Sequence, residues 1–177
     1  MKVELRNGQA TISGYVNAVE RESRVLQDKY GKFIEKIKAG TFAKALGRND
    51  VKLYFNHKRC LTPLELSLEE DAIGLKCTAI VDDVEVLENI DKLRGWSFGM
   101  NVNKDSWETR EDGMRIRTIE DINLGEVSIL TITPAYVATT IETRSLDDDK
   151  IDVDKTAVDE YNKLKQLKLK TEFMLIK

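Results

Sequence analysis

Apolar and polar side chains alternate in several stretches of the chain before Ile132, the period of a half-buried strand. Thr11 to Val19 is rich in β-branched and aromatic residues, and Lys32 to Ile37 alternates after the turn signal Tyr30-Gly31. The charged stretch Glu20 to Lys29 between them reads as a loop or irregular edge. Val51 to Phe55 is a further strand and runs into Asn56-His57. Leu64 to Leu68 and Gly74 to Val81, turned by Glu69-Glu70-Asp71, predict a hairpin. Trp96 to Val102, Met114 to Ile119 and Leu124 to Ile132 complete the β content, the last ending before Pro134. Two short helices interrupt the pattern. Thr41 to Leu46 carries Phe42, Ala45 and Leu46 at helical spacing, with Thr41 as the expected cap and Gly47 as the stop. Val84 to Leu93 sets Val84, Leu87, Ile90 and Leu93 three or four apart after Asp82-Asp83, with Gly95 as its expected end.

After Thr143 the pattern changes. Residues 145–160 hold seven acidic and two basic side chains, whereas residues 161–177 hold five lysines and one glutamate. Thr156 with Asp159 resembles a capping box, and Ala157, Tyr161, Leu164 and Leu167 share one helical face. The expected organisation is one domain over residues 1–144 and a charged, partly helical tail over 145–177. The plainer reading of the tail is a solvated amphipathic end packed on its own domain or a neighbour, set against a dedicated partner helix.

Composition narrows the function classes. The 177 residues include 28 basic and 31 acidic side chains, a net charge of -3, without the basic excess expected of a nucleic-acid binder. At 41% hydrophobic and 33% charged the chain is too apolar for disorder and too charged for a membrane protein. Met1-Lys2-Val3-Glu4 does not read as a signal peptide, and the expectation is a soluble, cytoplasmic domain. Two cysteines make neither a disulfide framework nor a metal knuckle. The single histidine excludes any site built from two histidines of one chain.

Three residues stand out as candidates for chemistry. His57 ends a predicted strand beside Asn56 and Lys58-Arg59, where a rigid scaffold presents groups to a cleft. Histidine titrates nearest neutrality of all side chains, which suits a general base; a structural histidine is the competing reading. Cys60 and Cys77 read as small edge or core residues, so the nucleophile is sought among the seven serines. In Gly95-Trp96-Ser97-Phe98-Gly99-Met100, strand alternation sends Trp96 and Phe98 to one face and Ser97 and Gly99 to the other. The glycine would leave space for a substrate backbone beside the serine, though most strand serines are merely solvated. Glu126, in Leu124-Gly125-Glu126-Val127-Ser128-Ile129-Leu130, is a carboxylate within an apolar run. Burying it requires a partner, and an imidazole would serve; an outward-facing glutamate is the alternative.

These pieces recur in an order that resembles the prohead (procapsid maturation) proteases of tailed phages, distant relatives of herpesvirus assemblin. The landmarks are Gly14-Tyr15, Gly31-Lys32-Phe33-Ile34-Glu35, Ile37-Lys38-Ala39-Gly40-Thr41-Phe42, Asn56-His57, Asp71-Ala72-Ile73-Gly74-Leu75, Trp96-Ser97-Phe98-Gly99-Met100 and Leu124 to Thr131 followed by Pro134-Ala135. Thr41 and Lys58 depart from the alanine and aspartate of many relatives. The resemblance implies an α+β, mainly β fold: a small closed β-barrel of assemblin type with flanking short helices and, here, a C-terminal helical tail. It implies a serine endopeptidase with His57 as base and Ser97 as nucleophile, and oxyanion donors on a loop after the nucleophile strand. The herpesvirus relatives use a second histidine that this chain lacks, so an acid must take that place. Glu126 is the choice, with Asp121 and Glu120 as alternatives.

The implied substrate is the scaffold protein, or a scaffold segment of the major capsid protein, cleaved together with the protease itself inside the procapsid in the host cytoplasm. A homodimer is the implied active form, with no metal, cofactor, nucleic acid or membrane. The competing function is a catalytically inactive capsid- or scaffold-binding domain of the same fold, and behind it an unrelated β-rich binding module.

Overall fold

The computed structural model describes residues 1–132 together with the short strand Asp152–Val153. The described strands form two sheets. In the first, β1 (Lys2–Arg6), β2 (Gln9–Ala18), β7 (Glu65–Glu70) and β8 (Gly74–Val81) join β11 (Asp152–Val153) in the order β11-β1-β2-β8-β7. The second is organised by one strand, β10 (Arg115–Leu130), with β9 (Gly95–Thr109) antiparallel to it along its whole length. Since β9 takes one edge of β10, β4 (Gly31–Ile37) and β5 (Lys52–Phe55) share the other, each parallel to it. Two short edge strands, β3 (Leu26–Asp28) on β4 and β6 (Arg59–Cys60) on β5, complete the sheet.

Helix α1 (Thr41–Leu46) fills the interval on β10 between β4 and β5. There the Lys38 N–H donates to Ile119 O, Arg48 donates to Ile122 O, and Asn49 Oδ1 accepts from the Leu124 N–H. The connection thus supplies the hydrogen bonds that a neighbouring strand would otherwise provide. One apolar cluster unites the sheets and helices, with Ile12, Ile37, Phe42, Leu75, Trp96, Ile122 and Ile129 at its buried centre.

The mainly β character with few short helices is as expected, with one sheet curled into a half-barrel. No pairing among the described residues closes either sheet into a barrel. The expected tail helix lies outside the described residues, apart from Asp152 and Val153, which pair with Lys2 and Val3. The two strands expected at Met114 to Ile119 and Leu124 to Ile132 are one bulged strand, β10. The helix expected over Val84 to Leu93 is α2 (Val84–Glu88) followed by a 3-10 turn at Ile90–Lys92, with Asp83 capping the Val86 N–H. Thr41 does not cap α1. It lies inside the helix, buried, and Gly40 holds the cap position in the left-handed conformation. A carboxylate from another sheet does the capping: Glu70 accepts from the Gly40 N–H at 2.7 Å and from the Ala43 N–H at 2.6 Å.

Two predictions follow from this arrangement. Replacing Glu70 by alanine removes the α1 cap and should cost about 1 kcal/mol in urea unfolding, the size of an N-cap deletion; an unchanged midpoint would contradict the assignment. Asp121 is held at about 2, below its ordinary 3.8, by its hydrogen bonds with Arg48 and Asn103. A carboxyl lowered by folding stabilises above its unfolded value and loses that contribution as pH falls through the folded one. Asp121→Asn should therefore flatten the loss of stability between about pH 4 and 2, measured by acid titration of the unfolding midpoint, and leave the neutral-pH slope unchanged.

Candidate active site

The phase of β10 decides where Glu126 points. Leu124 pairs with Met100 and Glu126 with Gly99, so Gly125 is an extra residue in β10. An extra residue exchanges the two faces of a strand. Before it Ile122 and Leu124 are buried; after it Val127 and Ile129 take over the core side, opposite the buried Phe98 and Trp96. Glu126 and Ser128 consequently share the other face with their cross-strand partners Gly99 and Ser97. Without that step the even-numbered Glu126 would follow Leu124 into the core. Trp96 and Phe98 are the buried anchors expected of the nucleophile strand, Phe98 meeting Phe42 edge-on at 5.4 Å between centroids.

His57 reaches the same face from the opposite side of β10. Strand β5 buries Leu53 and Phe55, and the β5–β10 ladder ends where the Asn56 N–H donates to Ile129 O at 2.9 Å. The chain then turns, with Asn56 at φ 52 and His57 at φ 57, both in the left-handed region. That conformation costs on the order of 1–2 kcal/mol per residue for side chains other than glycine. Four hydrogen bonds hold it. Lys58 N–H closes the turn on Phe55 O, and Asn56 Oδ1 accepts from both the N–H and the hydroxyl of Thr131. The His57 N–H donates to Ser128 Oγ at 2.9 Å.

The imidazole is fixed by the carboxylate: Nδ1 lies 2.5 Å from Glu126 Oε1. A carboxylate only accepts, so Nδ1 is the donor in this contact, and in the neutral imidazole Nε2 is then the acceptor. The His57 side chain is 39% exposed and that of Glu126 is 18% exposed, so the ring faces solvent while its carboxylate is shielded. Neighbouring strands lie about 4.8 Å apart, which sets β5 and β9 roughly 10 Å apart across β10; the turn carries His57 over part of that gap. Gly99 makes the approach possible. A Cβ there would stand 2.7 Å from Glu126 Cγ and 3.0 Å from Oε1, so the space expected for a substrate backbone is occupied by the Glu126 side chain. Ser97 is two residues along on the same face and is half-buried. Its hydroxyl makes no hydrogen bond to His57 among the described residues.

The other candidates lie elsewhere. Asp121 is engaged with Arg48 and Asn103, and Glu120 with Lys104 and Ser106. Both carboxyls are held low by these partners. Cys77 is buried and its thiol pushed up by desolvation, which removes it as a nucleophile; Cys60 is exposed on β6. Arg59 spans Asp83 and Glu85 and so ties the strand after the His57 turn to α2, whereas Lys58 is exposed. Ser128 and Thr131 were not singled out from sequence. Their signal, a hydroxyl within an apolar strand and a second one just after it, is shared by many strands that carry no site.

Residues 1–152 match the sequence model of the caudovirus prohead serine proteases. The chain belongs to that family. No curated protein and no solved structure matches it. The match includes every residue of the His57 constellation. Among the described residues of this family member, no group of three or more histidine, cysteine or carboxylate side chains could hold a metal, and no helix is long and apolar enough to cross a membrane.

Gly99→Ala tests the packing at the centre of this site. The added methyl must displace the Glu126 side chain, so the Nδ1–H signal of the single histidine should shift or broaden in proton NMR while thermal unfolding stays cooperative. An unaltered imidazole signal would show that Glu126 does not depend on the glycine.

Proposed function

We propose that the protein is a serine endopeptidase acting by acyl transfer, with Ser97 as nucleophile, His57 as general base and Glu126 as the acid that orients the ring. The supporting observation is the His57 Nδ1 to Glu126 Oε1 contact at 2.5 Å, on the sheet face that Ser97 shares, in a chain of the prohead serine protease family. The Ser97 hydroxyl would give its proton to His57 Nε2 as Oγ bonds to the scissile carbonyl carbon. Collapse of the tetrahedral intermediate breaks the C–N bond, and the proton on Nε2 passes to the leaving amine. Water, deprotonated by the same nitrogen, then hydrolyses the acyl-enzyme and restores Ser97. Glu126 stays ionised and stabilises the imidazolium in each half-reaction.

A half-exposed Ser97 suits attack on an entering chain better than Ser128, which is fully buried. Closing the Ser97 to Nε2 distance is then a step that accompanies substrate binding, as catalytic hydrogen bonds commonly tighten only in the complex. Family membership supports action within the procapsid, inside the host cell, on scaffold or capsid proteins. The specific reading is cleavage of the scaffold protein, or of a scaffold segment of the major capsid protein, and of the protease itself. We assign this to a domain over residues 1–144 working as a homodimer, with residues 145–177 as a charged tail.

Co-expression with the scaffold or capsid precursor tests the assignment. Ser97→Ala and His57→Ala should each lower precursor cleavage by about 10³-fold or more, and Glu126→Gln by about 10²–10⁴-fold, as expected when members of a triad are removed. Wild-type cleavage in Ser97→Ala would overturn the nucleophile. A wild-type chain that binds the precursor and leaves it intact would point instead to the inactive binding domain.

A further inference from the structure

We propose that Ser128 is a positioning residue: its buried hydroxyl holds the His57 main chain so that the imidazole stands over the face carrying Ser97. The inference rests on the triad reading and adds a side chain that touches no substrate.

Ser128 sits in the apolar run Val127-Ser128-Ile129-Leu130 and is fully buried. A hydroxyl there is unfavourable unless it is hydrogen-bonded, and an alanine would fill most of the same space. Its Oγ accepts from the N–H of a residue 71 positions earlier in the chain. That donor makes no other hydrogen bond among the described residues. Asn56 is the last residue of the turn whose N–H meets a β10 carbonyl, so the next N–H, that of His57, has already left the ladder. Ser128 replaces the missing carbonyl with a side chain.

The consequence is a two-point hold from one strand. Ser128 takes the His57 main chain and Glu126, two residues away on the same face, takes the ring. Ser128 also lies directly opposite Ser97 in the β9–β10 pairing. The same side chain therefore registers the base against the nucleophile's strand. With Ser128 gone, the turn keeps its bonds at Lys58 and Asn56, but the His57 main chain loses its own anchor to β10 and the ring is freer to pivot about Glu126.

A purely structural role predicts lost stability with an unchanged imidazole; a positioning role moves the imidazole itself. The chain has one histidine, so a ¹⁵N-histidine-labelled sample of the full chain gives a single imidazole to follow. The rate of labelling by a fluorophosphonate probe reports activation of the nucleophile. Ser128→Ala should slow labelling by about tenfold or more, the loss of one hydrogen bond to a catalytic group, and shift or broaden the Nδ1–H resonance while unfolding remains cooperative. Ser128→Cys, with a weak acceptor in nearly the same volume, should fall between Ser128→Ala and wild type; it decides the matter if the alanine variant does not fold. A folded Ser128→Ala, or failing that Ser128→Cys, with wild-type labelling and an unshifted resonance would overturn the proposal. Wild-type protein that labels no faster than Ser97→Ala would overturn the triad reading, and with it the role given to Ser128. A labelled wild type beside an indifferent Ser128→Ala would overturn the role of Ser128 alone.

Discussion

Desolvation forbids an unpaired carboxylate on the core face of a sheet, and the bulge at Gly125 is how β10 obeys that constraint. One extra residue exchanges the faces of the strand. The residues after it send Val127 and Ile129 toward the core and leave Glu126 and the buried Ser128 on the face they share with Gly99 and Ser97. Everything in the site is measured from that step. Glu126 takes the ring of His57, Ser128 takes its main chain, and both stand opposite the residues of β9 among which Ser97 lies.

The second constraint is the turn. Two consecutive residues with positive φ store backbone strain, which persists at functional sites when the surroundings over-determine the conformation. Here the surroundings are β10 and Thr131 just beyond it, so the strain is balanced by the strand that carries Glu126. Gly99 is the matching adjustment on the far strand. It yields side-chain space to Glu126, and a rigid sheet can then bring three elements distant in sequence to one face.

Much of this was legible in the residues. Alternation located β4, β5 and β7, and β-branched and aromatic content located β2; alternation also correctly sent Trp96 and Phe98 inward while leaving Ser97 on the other face. The single histidine reduced the search for a base to one residue, and the odd carboxylate in Leu124 to Leu130 singled out Glu126, which lies against the His57 ring. What escaped the sequence depended on tertiary partners. Thr41 had the chemistry of a cap, but Glu70 arrives from another sheet and takes the task. A bulged strand is broken in its periodicity, so β10 read as two strands. Gly99 looked like room for substrate because the length of a glutamate side chain on the facing strand does not register in a local pattern.

The central claim is that Ser97 is the nucleophile served by His57. Treating the full-length protein with a fluorophosphonate and mapping the adduct by peptide mass spectrometry tests it most directly. The account predicts modification at Ser97 that disappears in His57→Ala. An adduct on Ser128 or another serine, or one on Ser97 that forms equally fast without His57, would contradict it.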